Sequence, residues 1–459
     1  MTTVLVCADT WTGPPPGLEG TDVVMVDELC RSPRAGVSAI PPEETELVVV
    51  VHRDQLNLGS LQAALRRIGF DPLAVGVVDL GALGSLDDLP ATLAGALARV
   101  RAFPGAGPEQ VKLLPQDRRT RRGFLSLGTP TYTGAPRIEA ETCVASRGCQ
   151  VCAVRCPTGA LSWSNGRIAF DVNACVACGI CVTACPLGAV VNPVASPTAV
   201  AAEILAVLSH GPMAIRYRCR QAIVPAEPGW YQVEVPCTGM LTPAWLIAPR
   251  LLGAPAAEAV PCTEGGCDFA HDEHLRAVTE DATAILAALD PASGIHGSRR
   301  EAASWFGPGG TAHLIDALAP PAAAVDVELT VADVGTVSID DVLCTACERC
   351  AAICPTSALV SENGQGIRIT FDPRRCLACG QCLTVCPEQG AITLTRGFDL
   401  ADRRRGRRTL KEDVTPRCEI CGGPVAPASM LARIAELLGA EGTATMALVE
   451  RRCLDCRGR

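Results

Sequence analysis

No apolar run in the sequence approaches the roughly 18 to 20 residues that a membrane-spanning helix needs, although hydrophobic residues make up 48% of it. No membrane span is expected, and the chain reads as soluble. Positive charge is also short. Lys plus Arg number 40 against 49 acids, for a formal net charge of −9, so the overall field argues against a nucleic-acid backbone or an anionic membrane as partner. Met1 to Cys7 lacks the basic and long apolar regions of a secretory segment. The internal Arg121-Arg122-Gly123-Phe124-Leu125 looks like a twin-arginine export motif but runs into Gly128, Thr129 and Pro130, and reads as a basic linker. A phosphate-cradling glycine motif, a nucleotide fingerprint and a convincing acid–base pair are all missing, which leaves little sign of substrate chemistry.

Cysteine is what the sequence has in excess. Most of its 26 cysteines are grouped around short Cys-x2-Cys runs, which suit metal or cluster ligation better than a disulfide framework and imply a reducing, cytoplasmic compartment. At roughly 100 to 200 residues per domain, 459 residues exceed one compact core. The expected class is a multidomain α/β and α+β protein. Residues 1–110 read as an open parallel α/β domain, with short β-branched runs at Thr3–Val6, Val23–Val26, Leu47–Val51 and Leu73–Val78 and helices at Leu58–Ile68 and Ala91–Val100. Residues 111–140 read as a linker and 141–195 as a two-cluster ferredoxin module. A second open parallel α/β domain is expected at 198–290, a Gly/Pro/Ala-rich linker at 291–335 and a second ferredoxin module at 336–397. An Arg-rich linker at 398–416 and a zinc-ribbon-like module at 417–459 complete the chain.

The two ferredoxin-like 2x4Fe-4S modules are an internal repeat. The second reads Cys344-x2-Cys347-x2-Cys350-x3-Cys354-Pro355, then Cys376-x2-Cys379-x2-Cys382-x3-Cys386-Pro387. Three thiolates on a tight loop face one cubane, while the fourth, beyond the turn, points to its neighbour. Cys344, Cys347, Cys350 and Cys386 are thus expected to hold one 4Fe-4S cluster, and Cys376, Cys379, Cys382 and Cys354 the other. Zinc is the alternative for Cys-x2-Cys spacing, but two Cys-Pro endings among eight cysteines argue against it. The first module departs from the pattern: Cys143-x5-Cys149-x2-Cys152-x3-Cys156-Pro157 precedes a regular Cys175, Cys178, Cys181, Cys185-Pro186, and Ser146 stands where regular spacing puts the first cysteine. Thiolate binds iron far better than a hydroxyl and a longer loop costs little closure entropy, so Cys143, Cys149, Cys152 and Cys185 are the expected ligands. A labile 3Fe form is the alternative. Cys175, Cys178, Cys181 and Cys156 would hold the fourth cluster.

In the central region Cys219, Cys237 and Cys262 each follow a strand-like run, with Cys267 close behind. Ligands of an open parallel sheet collect outside the strands' carboxyl ends, so a four-thiolate site is inferred; four buried structural cysteines are the alternative. Tyr217-Arg-Cys219, Val235-Pro-Cys237-Thr-Gly-Met-Leu-Thr-Pro243 and Cys262-Thr-Glu-Gly-Gly-Cys267 resemble the delta, iron–sulfur subunit of methyl-viologen-reducing hydrogenases. The resemblance covers about residues 198–290 and implies a 2Fe-2S cluster on Cys219, Cys237, Cys262 and Cys267, carrying electrons between a hydrogenase and heterodisulfide reductase. Where that family has a further cysteine, this chain has Arg220, Gln221 and Ala222. Val4-Leu-Val-Cys7, Glu28-Leu-Cys30-Arg-Ser-Pro33 and Val48 to His52 resemble the opening domain of the heterodisulfide reductase flavin subunit, with His52 in place of a cysteine. That domain is expected to be a docking module that kept its fold; the flavin domain has no counterpart in the sequence.

At the far end, Cys418-x2-Cys421 and Cys453-x2-Cys456 flank a helical stretch from Ser429 to Leu438 and read as a tetrahedral zinc site, with rubredoxin-like iron as the alternative. Arg403 to Arg408 reads as a solvated linker, and His271 and His274 as solvated or locally bonded histidines. Taken together, the chain is expected to be a non-catalytic electron-transfer subunit with four 4Fe-4S clusters, one 2Fe-2S cluster and one zinc. Its expected partners are a hydrogenase, a formate dehydrogenase or a heterodisulfide-reductase-like complex. Two alternatives stand beside this: a self-contained oxidoreductase with a flavin or disulfide substrate near Cys7 and Cys30, and a redox-sensing zinc-ribbon regulator that uses the arginine run.

Overall fold

A computed structural model describes residues 2–9, 11, 21–41, 44, 46–52, 56–114, 131–220, 222, 224–261, 271–289, 301–319, 325–364, 366–439 and 443–457. They form two compact units. One comprises Met1–Cys143, Cys152–Ser164 and Ile168–Leu318; the other comprises Val144–Val151, Asn165–Arg167 and Ala319–Arg459.

The first unit opens with four parallel strands, Thr2–Cys7, Thr21–Val26, Leu47–Val51 and Val75–Asp79, arranged second, first, third, fourth. Thr2–Cys7 and Leu47–Val51 are buried along their whole length, as β-branched strands covered on both faces must be. Leu5, Val49 and Val51 face Leu61 and Leu65 of helix Leu58–Arg67, whereas Val4, Val48 and Val50 face Leu93 and Leu97 of helix Leu89–Arg101. The strand order reverses between Thr2–Cys7 and Leu47–Val51, so the crevice beyond their carboxyl ends lies at Cys7 and His52.

A second parallel sheet orders Trp230–Val235, Ala214–Cys219 and Ala257–Ala259, with helices Pro197–Leu208, Pro243–Leu251 and Asp272–Leu289. Helix Leu89–Arg101 lies so close to Pro197–Leu208 that a Cβ on Gly95 would come within 2.7 Å of Val207 Cγ2. There Arg99 pairs with Glu203 at 2.7 Å, and Tyr231 donates its hydroxyl to Glu203 at 2.8 Å. Arg99 also donates to the carbonyls of Glu234 and Val194, so this buried pair has the extra hydrogen bonds that offset its desolvation.

Two stretches expected as connections contain ordered elements. Within 291–335 stand helices Ala302–Trp305 and Gly310–Leu318, and Phe306 meets Trp245 edge-on at 5.3 Å, so buried aromatic surface draws this stretch into the core. Before the first module, Val111–Leu114 and Thr131–Gly134 form an antiparallel ribbon with Lys112 opposite Thr133. The twin-arginine-like Arg121 and Arg122 lie outside the described residues.

In the second unit, Gly335–Ile339 and Asp326–Glu328 both pair with Ile392–Asp399, and Gly366–Phe371 pairs with Leu359–Asn363 and Arg408–Val414. The arginine run differs from the solvated linker expected. Asp399 caps helix Leu400–Arg405, Arg403 is 3% exposed and donates to the Pro373 carbonyl at 2.9 Å, and Arg407 donates to the carbonyls of Ser357 and Ala358. Arg408 pairs with Asp402 at 2.9 Å. The tight cysteine turns leave carbonyls without a ladder partner, and these arginines supply the donors. Helices Ala428–Leu438 and Thr443–Arg451 separate the last two cysteine pairs. Among the described residues no helix is long and apolar enough to cross a membrane.

Candidate metal centres

A Cys-x2-Cys-x2-Cys loop turns three thiols towards one point only if its backbone reverses twice. Each regular loop does so through two left-handed residues: Ala177 and Gly179, Ala346 and Glu348, Ala378 and Gly380, all with φ between 47° and 79°. Such a conformation costs a non-glycine residue about 1–3 kcal/mol, a strain that persists only where its surroundings enforce it. Each Cys-Pro turn likewise closes on a left-handed residue, Gly159, Gly188, Ser357 or Gly390, followed by a buried alanine, Ala160, Ala189, Ala358 or Ala391. Hydrogen bonds to sulfur accompany this geometry: the Ala177 N–H donates to Cys175 Sγ at 3.3 Å and the Leu359 N–H to Cys354 Sγ at 3.4 Å.

In the second module, Cys344, Cys347, Cys350 and Cys386 line one cavity with Ile339, Ile369 and Ile392. Cys354 acts through its charge on Cys376, Cys379 and Cys382. Burial first, and then one another's charge, push Cys376 and Cys382 up to about 12 and Cys379 to about 11. Cys350 rises to about 12 from burial and from Cys344, Cys347 and Cys382. Buried thiols that resist ionisation because of each other are a donor set that fits a cationic iron centre, which removes the mutual repulsion. The segment 144–151 also packs in this unit: Arg147 donates to the Pro355 carbonyl at 3.4 Å, the Gln150 N–H to Gln381 Oε1 at 3.2 Å, and the charge of Cys149 reaches Cys379.

In the first module, Cys156, Cys175, Cys178 and Cys181 influence one another in the same manner. Burial raises Cys181 and Cys178, whereas for Cys156 hydrogen bonds from Leu161, Thr158 and Ala160 outweigh burial and lower it. Cys143, Cys152 and Cys185 pack in one apolar cluster with Leu161 and Val190. A single 3-10 turn, Ala145–Arg147, takes up the three additional residues of the first loop, and Ser146 lies in that turn. Gly148, at φ 98°, then stands before Cys149 as Ala177 stands before Cys178.

The two α/β sheets place cysteines at strand ends. Cys219 ends its strand, and Cys237 begins the turn Thr238–Met240 and accepts the Gly239 N–H at 3.4 Å; both are buried. Cys262 and Cys267 lie outside the described residues. His274 meets the Leu241 carbonyl at 3.0 Å, and the His271 ring lies against Gly239 with its buried Nε2 meeting no partner among the described residues, so neither histidine is simply solvated. In the N-terminal sheet the thiols of Cys7 and Cys30 hydrogen-bond within the core, and burial together with Cys7 pushes Cys30 up to about 12. The His52 main-chain N–H approaches Cys30.

At the C-terminus the four sulfurs of Cys418, Cys421, Cys453 and Cys456 lie within 4.8 Å of one another, the packing of a tetrahedral thiolate site. Main-chain N–H groups of Cys453, Cys421 and Ile420 lower Cys418 to about 6, while burial and the neighbouring thiols raise Cys456 to about 12. Gly422, at φ 71°, permits the knuckle turn.

Sequence reading did not single out Lys112 or Thr133, and noted Arg220 only as standing where a cysteine was expected. Lys112 directs its buried ammonium at the carbonyls of Val172 and Cys175, and Arg220 donates to the Val176 carbonyl at 2.8 Å. A lysine inside an otherwise apolar strand and an arginine beside a strand-end cysteine were the available signals.

Both cysteine blocks with this geometry match 4Fe-4S dicluster domains. The model of the 4Fe-4S dicluster domain matches residues 135–186, and a second model of the same description matches residues 343–391. The chain carries two such domains, with cysteines for up to four 4Fe-4S clusters. No curated protein matches the chain.

Proposed function

We propose that this chain is an iron–sulfur electron-transfer subunit that relays electrons between a catalytic redox partner and an acceptor. The observation that carries this reading is the crossed grouping of the second module, in which Cys386 joins the Cys344–Cys350 loop around one cavity and Cys354 joins the Cys376–Cys382 loop. By that pattern Cys344, Cys347, Cys350 and Cys386 hold one 4Fe-4S cluster, and Cys354, Cys376, Cys379 and Cys382 the next. In the first module the sets are Cys143, Cys149, Cys152 and Cys185, and Cys156, Cys175, Cys178 and Cys181. When bound, such clusters supply one-electron transfer at potentials set by charge, hydrogen bonds to sulfur and solvent exposure. The chain's own contribution is to hold the thiols at fixed separation, exclude water with Ile339, Ile369 and Ile392, and direct N–H groups at sulfur.

The finer reading adds a 2Fe-2S cluster on Cys219, Cys237, Cys262 and Cys267, zinc on Cys418, Cys421, Cys453 and Cys456, and a hydrogenase, formate dehydrogenase or heterodisulfide-reductase-like complex as partner in a reducing cytoplasm. It is supported by the strand-end positions of Cys219 and Cys237 and by the four converging C-terminal sulfurs. Burial of Cys7 and Cys30 in the apolar core favours a docking role for the N-terminal sheet over a site open to a disulfide substrate. Anaerobic iron, acid-labile sulfide and zinc analysis tests the reading: about 18 iron and one zinc per chain are expected. About eight iron or fewer would reject it.

A further inference from the structure

Both described cysteines of the central sheet stand beside residues that grip the Cys175–Cys181 loop of the first module. Arg220, directly after Cys219, donates to the carbonyls of Val176 (2.8 Å) and Ala177 (3.4 Å) and to the Thr133 hydroxyl (2.9 Å). Met240, at the end of the turn that Cys237 begins, covers Gly179; a Cβ there would come within 3.0 Å of its sulfur. From the ribbon, Lys112 is the cross-strand neighbour of Thr133 and points its ammonium at the carbonyls of Val172 and Cys175. Two cations from separate elements thus cap three carbonyls of one cysteine loop and that of Val172 just before it.

One of these peptide units faces both ways. Its carbonyl, on Val176, accepts from Arg220, and its N–H, on Ala177, donates to Cys175 Sγ at 3.3 Å. A cation on the carbonyl polarises the peptide and strengthens the N–H···S bond at its other end. Reduction adds negative charge to a thiolate-bound cluster, so a nearby positive charge and stronger hydrogen bonds to sulfur both favour the reduced form.

We propose that Arg220 is a positioning residue that, together with Lys112, raises the reduction potential of the cluster that Cys156, Cys175, Cys178 and Cys181 would hold. This rests on the electron-relay reading above.

The test is an EPR-monitored redox titration of the full-length, anaerobically prepared protein beside Arg220→Gln, Lys112→Gln and, as a control at an exposed arginine of the same unit, Arg137→Gln. One 4Fe-4S signal should move to lower potential in the first two variants. Its reduced-to-oxidised ratio at the wild-type midpoint should fall about tenfold, equivalent to about 59 mV for one electron, while Arg137→Gln leaves every midpoint in place. Arg220→Lys should restore most of the potential. If Arg220→Gln loses the cluster, the midpoint in Lys112→Gln decides. Unmoved midpoints in iron-replete variants overturn the proposal alone; wild-type protein without labile sulfide overturns it together with the electron-relay reading.

Discussion

The two dicluster modules reach one local geometry from unlike surroundings. Val172 follows Asp171 in the first as Pro373 follows Asp372 in the second, and each carbonyl takes a buried cation from outside the repeat. Lys112 comes from a ribbon that precedes the first module, Arg403 from a helix that follows the second. The Cys-Pro turn of the second module is capped again by Arg407, whereas in the first the additional cation, Arg220, caps the cysteine loop itself. Cysteine spacing therefore specifies the loop, while flanking elements specify its charge. Two copies of one motif can then differ in potential without differing in fold.

The largest predicted effect concerns the thiols. Cys386→Ala should remove about four iron, and the signal lost should be that of the cluster on the Cys344–Cys350 loop; loss of both clusters of the module would contradict the crossed grouping. The first module sharpens the comparison. Cys143→Ser should also lose about four iron, whereas Ser146→Cys should gain none, because Ser146 sits in the 3-10 turn that takes up the longer loop. Iron content with EPR reads both, and retention of iron in Cys143→Ser would assign the corner to another residue.

Next come the left-handed positions. Gly148→Val places a branched side chain at φ 98° with its Cβ about 2.8 Å from Ile353 Cδ1, and should destabilise the loop by about 1–3 kcal/mol. Ala346→Gly, at φ 51°, should change stability by less than about 1 kcal/mol, because glycine adopts this region without steric cost. Thermal bleaching of the cluster absorbance compares the two; equal bleaching would show that the backbone geometry does not matter. The smallest effect on iron is expected from Cys456→Ala, which should release one zinc and make helices Ala428–Leu438 and Thr443–Arg451 protease-sensitive while iron content stays unchanged.

What could be read from the sequence was whatever has a period or a spacing. The parallel strands of the first sheet, the helix near Ser429 and the two cysteine blocks were legible because β-branched runs, apolar faces and Cys-x2-Cys intervals are local patterns. Arg403 and Arg407 read as solvated because nothing local marks a guanidinium that caps a distant carbonyl. Lys112 was hidden in a stretch taken as a linker, and Trp305 and Phe306 lay in a Gly/Pro/Ala-rich connection whose burial depends on Trp245 elsewhere in the chain. Arg220 was visible only as a departure, and its partner, the Val176 carbonyl, carries no side-chain signature at all.

The central claim is that both modules hold clusters in close pairs. EPR spin quantification of the anaerobic, dithionite-reduced protein tests it most directly. Two dicluster modules predict signals integrating to about four 4Fe-4S spins per chain, split by magnetic interaction within each pair. A single uncoupled signal, or a colourless protein holding zinc alone, would contradict it.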